Sequence, residues 1–319
     1  SVGGGYSSVE KFIAMVDLTQ GNLFGKGQFI KLRGELGGMT SYYDITFRDP
    51  WFMDKPISFS ANIYKMTKEY IEYEKKATGA GFSFGKNFSE YWWGDIAYNF
   101  EDATIFNISD TADEIVRDQE GTRVTSSITP SLIRDSRDNF LDPTRGSRNS
   151  VYVTYAGIGG TNYFVKGEID SAWYLPLGST TVMLRGRFGY ASGIFGKELP
   201  LYERFYVGGI YTIRGLGFGE AGPRGETSGD PIGGTEELIF NAEYIFPIIS
   251  DVKLKGVVFV DAGNSYESFK KFGSLRYTTG AGIRWISPVG PIRIEWGYNL
   301  DKKPDEKSSR FEFAFGSFF

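Results

Sequence analysis

A strand sends successive side chains to opposite faces, and this chain alternates apolar and charged residues with that period of two in segment after segment. Over 163–175, Tyr163, Val165, Ile169, Trp173 and Leu175 share one face, while Lys166, Glu168 and Asp170 share the other. Ile30, Leu32 and Leu36 oppose Lys31, Arg33 and Glu35 in the same way, and Ile292, Ile294, Trp296 and Tyr298 oppose Arg293, Glu295 and Asn299. Phe311, Phe313 and Phe315 oppose Arg310, Glu312 and Ala314. Similar stretches recur near 9–18, 40–48, 57–65, 79–87, 92–101, 122–133, 149–157, 181–191, 237–246, 253–262 and 275–285, with a short first strand at 2–6. About sixteen strands result, at roughly twenty residues per strand and connection, a spacing that suits tilted strands of about ten residues crossing a bilayer.

Soluble sandwiches also alternate. Two features favour a barrel in a membrane. The polar faces carry Lys, Arg, Glu and Asp steadily, as a wet lumen requires. The apolar faces carry rings near strand ends (Trp51, Phe52, Trp92, Trp93, Trp173, Tyr174, Trp285 and Trp296), where interfacial girdles sit. Aromatic residues make up 17% of the chain, and no run of eighteen apolar residues exists to make a spanning helix. The expected fold is all-β: a transmembrane antiparallel barrel filling 1–319 as one domain.

Connections are expected to alternate in length. The short, Pro-containing set is 49–56, 176–178, 247–251 and 287–291; the long polar set is 66–76, 102–121, 193–236 and 263–274, with 134–148 an exception on the short side. Outer-membrane barrels keep short turns on the periplasmic side, so an even strand count puts both termini there. The opening Ser1-Val2-Gly3-Gly4-Gly5-Tyr6 carries no signal sequence, so a removed leader or an excised fragment is expected.

A net charge of -4 gives no nucleic-acid footprint. The chain has no cysteine and no histidine, which removes thiol chemistry, the commonest general base and the commonest metal ligand together. No enzyme activity, cofactor or metal is expected. Asp135, Asp138 and Asp142 invite a calcium reading, but Arg134, Arg137 and Arg145 are interleaved with them, and internal ion pairing is preferred.

The loop 193–236 is too long for a passive hairpin connection. It holds Gly208-Gly209-Ile210-Tyr211-Thr212-Ile213-Arg214-Gly215-Leu216 and then Gly217, Gly219, Gly222 and Gly225, a density that lets backbone approach another surface closely. Either it is a loose external loop with an incidental arginine, or Arg214 anchors it to a carboxylate of the lumen. Glu243 and Asp261 are the two carboxylate candidates, both on inward faces.

At this point the residues reach a resemblance. Ile213-Arg214-Gly215-Leu216 is similar to the loop-tip motif of the BamA family of outer-membrane protein assembly factors, within the POTRA-barrel superfamily. Val260-Asp261-Ala262-Gly263-Asn264 and Gly280-x-Gly282-x-Arg284-x-x-Ser287-Pro288-x-Gly290-Pro291-x-Arg293 resemble two more of its motifs, and Asp135 to Asn139 with Pro143 to Gly146 a further one. Phe311-x-Phe313-x-Phe315-Gly316-x-x-Phe319 looks like the terminal sorting signal of outer-membrane barrels. The resemblance covers the whole chain. It implies a sixteen-stranded barrel with its long external loop folded into the lumen, and Arg214 and Gly215 at a tip that pairs with Glu243 and Asp261. Leu216 departs from the aromatic usual there and is expected to pack less surface.

The implied task is folding and insertion of other barrels into the outer membrane. Unfolded clients, lipids and companion lipoproteins would be its partners, and POTRA domains, absent from this chain, would precede it. The seam between first and last strands offers Gly3, Gly4 and Gly5 against Phe311, Phe313, Phe315, Gly316 and Phe319, and the glycines give little side chain to hold it shut. Such a seam would serve as a lateral gate. A frayed terminus is the other reading of the glycines, and a translocation pore of the two-partner secretion or translocation-assembly type is the alternative function.

Overall fold

The computed structural model describes residues 2–268, 273–287 and 290–316. It shows sixteen antiparallel strands in one closed barrel. The first eight are β1 Val2–Ser7, β2 Lys11–Leu23, β3 Gln28–Gly37, β4 Thr40–Asp49, β5 Ser58–Glu69, β6 Glu74–Asn87, β7 Trp92–Phe106 and β8 Gly121–Asp135. The second eight are β9 Gly146–Gly160, β10 Phe164–Leu177, β11 Thr180–Gly193, β12 Glu236–Ile249, β13 Leu254–Tyr266, β14 Arg276–Ser287, β15 Gly290–Asn299 and β16 Ser309–Phe315. Each pairs with its neighbours in sequence, and β1 closes on β16. Closure leaves the wall without a free edge, which a strand in hydrocarbon requires.

The alternation resolves as a wall with an oily outside and a charged inside. Ile30, Leu32, Ile45, Ile63, Ile169 and Trp173 stand exposed on the outer face, while Asp44, Glu101, Asp170, Glu243 and Glu295 are buried within. Trp51, Trp92, Trp173, Trp285 and Trp296 all face outward. Two of the expected girdle rings do not. Tyr174 follows Trp173 and Trp93 follows Trp92, so a period of two turns each to the lumen side; Tyr174 packs with Met183, Ile245 and Val257, and Trp93 lies under the Arg48 guanidinium.

Strands run beyond the stretches of apolar alternation. The expected loop 66–76 shrinks to 70–73, because β5 and β6 continue pairing through Lys68–Lys75 and Glu69–Glu74. The loop 102–121 shrinks to 107–120, which includes one helical turn, α1 Glu114–Arg117. A backbone ladder is satisfied whatever its side chains, so the wall rises past the level at which oily residues are needed. The alternation of connection lengths is correspondingly incomplete: the end that carries 107–120 and 194–235 also carries the short connections 8–10, 38–39, 70–73 and 161–163.

Candidate functional site: a lumenal loop held by a charge network

Residues 194–235 fold into the barrel as a second interior. Val207, Ile213, Leu216 and Ala221 are fully buried and pack on Ile239 of β12. Leu216 is thus enclosed completely, despite being smaller than the aromatic side chain expected at that place. At the tip the Gly209 amide donates to the Ile213 carbonyl at 3.0 Å and the Thr212 amide to the Gly209 carbonyl at 3.0 Å, making a tight turn that presents Arg214.

Arg214 is 2% exposed. Its Nε and Nη2 donate to the two oxygens of Asp261 at 2.8 and 2.6 Å, and its backbone amide adds a third bond to that carboxylate at 3.0 Å. Nη1 reaches Glu243 at 2.6 Å and Glu295 at 2.9 Å. The guanidinium carbon lies 3.6 Å from the centre of the Phe259 ring. All four candidates named for the loop anchor (Arg214, Gly215, Glu243 and Asp261) therefore meet in one place.

The structure adds residues that the sequence did not single out as a site. Arg284 forks onto Glu243 at 2.7 and 2.8 Å and reaches Glu295 at 2.7 Å, while Arg293 reaches Glu295 at 2.9 Å. Three guanidiniums thus face three carboxylates. Asn241 ties the tip a second time, donating to the Thr212 carbonyl and to Asp261, both at 2.8 Å. Gly215 adopts φ +88, and the place of a Cβ on it lies 2.8 Å from the Gly297 carbonyl carbon. Only two residues without side chains allow tip and β15 to touch backbone to backbone.

Below the tip lies a chamber of about 510 Å³, lined by Arg148, Arg185, Arg187, Tyr174 and Lys255 among others. The connection 136–145 folds across its mouth, and Asp142 bonds Lys255 of β13 at 2.6 Å. Asp135 pairs with Arg137 at 2.7 Å. Asp138 instead accepts the Thr144 and Arg145 amides and the Thr144 hydroxyl. Burial pushes the Asp138 carboxyl up, but these donors outweigh it and hold the group at about 2. No cluster able to hold a metal occurs among the described residues.

At the other end Asp113, before α1, pins the loop from outside, accepting the Thr227 amide at 2.9 Å and the Ser228 hydroxyl at 2.7 Å. The Thr227 amide bond, with those from Ser228, holds the Asp113 carboxyl below its ordinary value against the opposing effect of burial. A depressed carboxyl supports the folded state fully above its unfolded value and loses that support as pH falls through the folded one. Asp113→Ala should accordingly lower the hydrogen-exchange protection factors of Thr227 and Ser228 at neutral pH, and acid should lower them in the wild type once rates are corrected for intrinsic exchange at each pH. Exchange at 208–216 should stay at its wild-type level in the variant.

At the seam, β1 pairs with β2 from Val2–Val16 to Ser7–Lys11, so Gly3, Gly4 and Gly5 form a laddered strand. Toward β16 the ladder comprises Tyr6–Phe315 and Ser7–Ala314 among the described residues, whereas β7 and β8 pair from Trp92–Arg134 to Ile105–Gly121. Phe311 and Phe313 face outward. Gly316 takes φ +100, where a Cβ would lie 2.7 Å from the Gly4 carbonyl oxygen. Phe319 lies outside the described residues.

Residues 22–319 match the model of the Omp85 superfamily domain. The whole chain is 32% identical to the outer membrane protein assembly factor BamA of Nitratidesulfovibrio vulgaris, of which it spans 41%. The chain thus covers less than half the length of that relative. Among solved structures, BamA from Haemophilus ducreyi lacking POTRA domains 1-3 superposes with a TM-score of 0.92 at 20% identity, over 99% of this chain and 69% of that one. CdiB from Acinetobacter baumannii gives 0.60 at 14% identity, over 99% of this chain and 59% of that one.

Proposed function

We propose, from the premise that the chain belongs to the Omp85 superfamily, that it is the barrel of an assembly factor that folds and inserts other β-barrel proteins into the outer membrane. On this reading residues 1–319 form one barrel domain that follows POTRA domains in the full-length protein, with both termini in the periplasm. Its partners are unfolded outer-membrane proteins, outer-membrane lipids and companion lipoproteins of an assembly complex. The work is templating and needs no covalent step.

The observation that carries this reading is the seam. A strand edge exposed there can pair with an incoming strand by β-augmentation, and among the described residues the β1–β16 ladder comprises Tyr6–Phe315 and Ser7–Ala314, few pairs to break on opening. Gly3, Gly4 and Gly5 on one side and Phe311, Phe313, Phe315 and Gly316 on the other would form the gate, with Phe319 next to it in sequence. Arg214, Gly215, Glu243 and Asp261 would keep the lumenal loop seated while the gate works. Sequence likeness to a relative named as an assembly factor supports the same reading. A translocation pore of the superfamily would instead need its lumen cleared, and here residues 194–235 occupy it above the chamber.

The test uses the absence of cysteine. Ser7 and Ala314 are both small and face the lumen. The Ser8 amide donates to the Phe313 carbonyl at 2.9 Å, which makes the neighbouring Ser7–Ala314 pair a non-hydrogen-bonded one. Such pairs have the closer Cα spacing, within disulfide range. Full-length protein carrying S7C and A314C should lose insertion of a model client into liposomes when oxidised, and regain it on reduction. Full activity in the oxidised form would exclude a lateral gate.

A further inference from the structure

The lumenal loop and the seam share several contacts, among them a carboxylate bonded to both. Glu312 of β16 is 1% exposed and faces the lumen. One of its oxygens accepts the Ser8 hydroxyl at 2.6 Å, and Ser8 lies in the connection from β1 to β2. The other accepts the Gly215 amide at 3.3 Å, at the loop tip. Its partner across the β15–β16 ladder is Glu295, the carboxylate that receives Arg214. Two residues along β16, Arg310 bonds Glu220 of the loop at 3.0 Å.

A buried carboxylate needs donors, because leaving it without them costs its full desolvation. Glu312 draws its donors from two bodies, the loop and the β1 side of the seam. We propose that Glu312 is the positioning residue that couples seating of the lumenal loop to closure of the seam. With the tip seated, the Gly215 amide holds the carboxylate where Ser8 can reach it, adding a side-chain tie to the short backbone ladder seen among the described residues. When the tip withdraws, the carboxylate turns to water and the Ser8 tie goes with it. Linkage makes the effect reciprocal: displacing Ser8 from Glu312 weakens the hold on Gly215. The inference rests on the lateral-gate reading, since closure matters to function only if the seam opens.

The experiment reads the seam directly. In full-length S7C/A314C protein, the rate of disulfide formation under mild oxidant reports how much of the time the seam is closed. E312A should lower that rate about tenfold, the effect of losing a hydrogen bond to a charged group. S8A, which cuts the tie from the other side and leaves the carboxylate in place, should lower it as well. E312Q keeps the shape and an acceptor oxygen and should recover most of the rate. R214A should slow cross-linking when Glu312 is present and add nothing in the E312A background. Wild-type cross-linking in both E312A and S8A would overturn the coupling, as would effects of R214A and E312A that simply multiply. A locked seam that still inserts clients would instead remove the gate and leave the measured coupling standing, so the two failures are distinguishable.

Discussion

Replacing Arg214 with alanine is expected to free the lumenal loop from the barrel wall while the barrel itself stays folded. The substitution leaves Asp261, which is fully buried, without the fork that satisfies it. Removing one partner of a buried charge pair costs about 3–5 kcal/mol, because the remaining charge stays desolvated. Glu243 and Glu295 lose less, since Arg284 and Arg293 still reach them. The strain therefore falls on the tip. Residues 208–220 should become cleavable by protease and lose hydrogen-exchange protection by a factor of about a hundred or more, following from that cost. Heat-resistant electrophoretic mobility of the barrel should change little. Arg214→Lys keeps the charge but lacks the planar fork, so it should recover only part of the protection. Wild-type protection in the alanine variant would show that the loop is held without the network. Under the proposed function, insertion of clients should fall along with protection.

Valine at Gly297 is expected to unseat the same loop with every charge still in place. A Cβ at that position would lie 2.5 Å from the Gly215 nitrogen and 2.7 Å from its Cα. Both are backbone atoms, so no flexible side chain can give way. Forcing extra carbon into such a contact costs about 1–3 kcal/mol or more. Here the tip must lift, and Arg214 with it. Gly297 pairs with Gly280 across the β14–β15 ladder, so the wall itself should tolerate the change. Exposure of 208–220 with unchanged barrel mobility is the expected pattern. Alanine should do the same to a smaller degree. A valine variant with a fully protected tip would mean that the close approach at Gly215 contributes nothing to seating.

How much of this was legible beforehand follows from what period two encodes. Alternation identifies faces, so the wall, the wet interior and the inward aim of Glu243 and Asp261 were readable from the residues. It does not encode where a ladder stops, because Glu69–Glu74 pairs as well as Ile63–Ala80 once the backbone is in register. The expected loops were consequently too long. Nor does it distinguish one lumenal charge from another. Glu295 and Glu312 read as ordinary inward residues, and only the register, which sets Glu295 beside Gly282 on one side and Glu312 on the other, brings them to the loop. Gly297 is a similar case, its role visible only once Gly215 lies against it. Aromatic clusters misled locally: in Trp92-Trp93 and Trp173-Tyr174 two rings in a row cannot both meet lipid.

The makeup of the loop's fastening determines what can undo it. Three guanidiniums hold three carboxylates in a chain without histidine or cysteine. Guanidinium keeps its proton at any acidity a cell envelope reaches, so titration of the arginines offers no trigger. Redox poise finds no thiol to act on. What remains is touch: another chain that offers its own donors and acceptors, or that pushes the neighbouring strand aside. Under the proposed function, a macromolecule that competes for these donors and acceptors is the expected means of release.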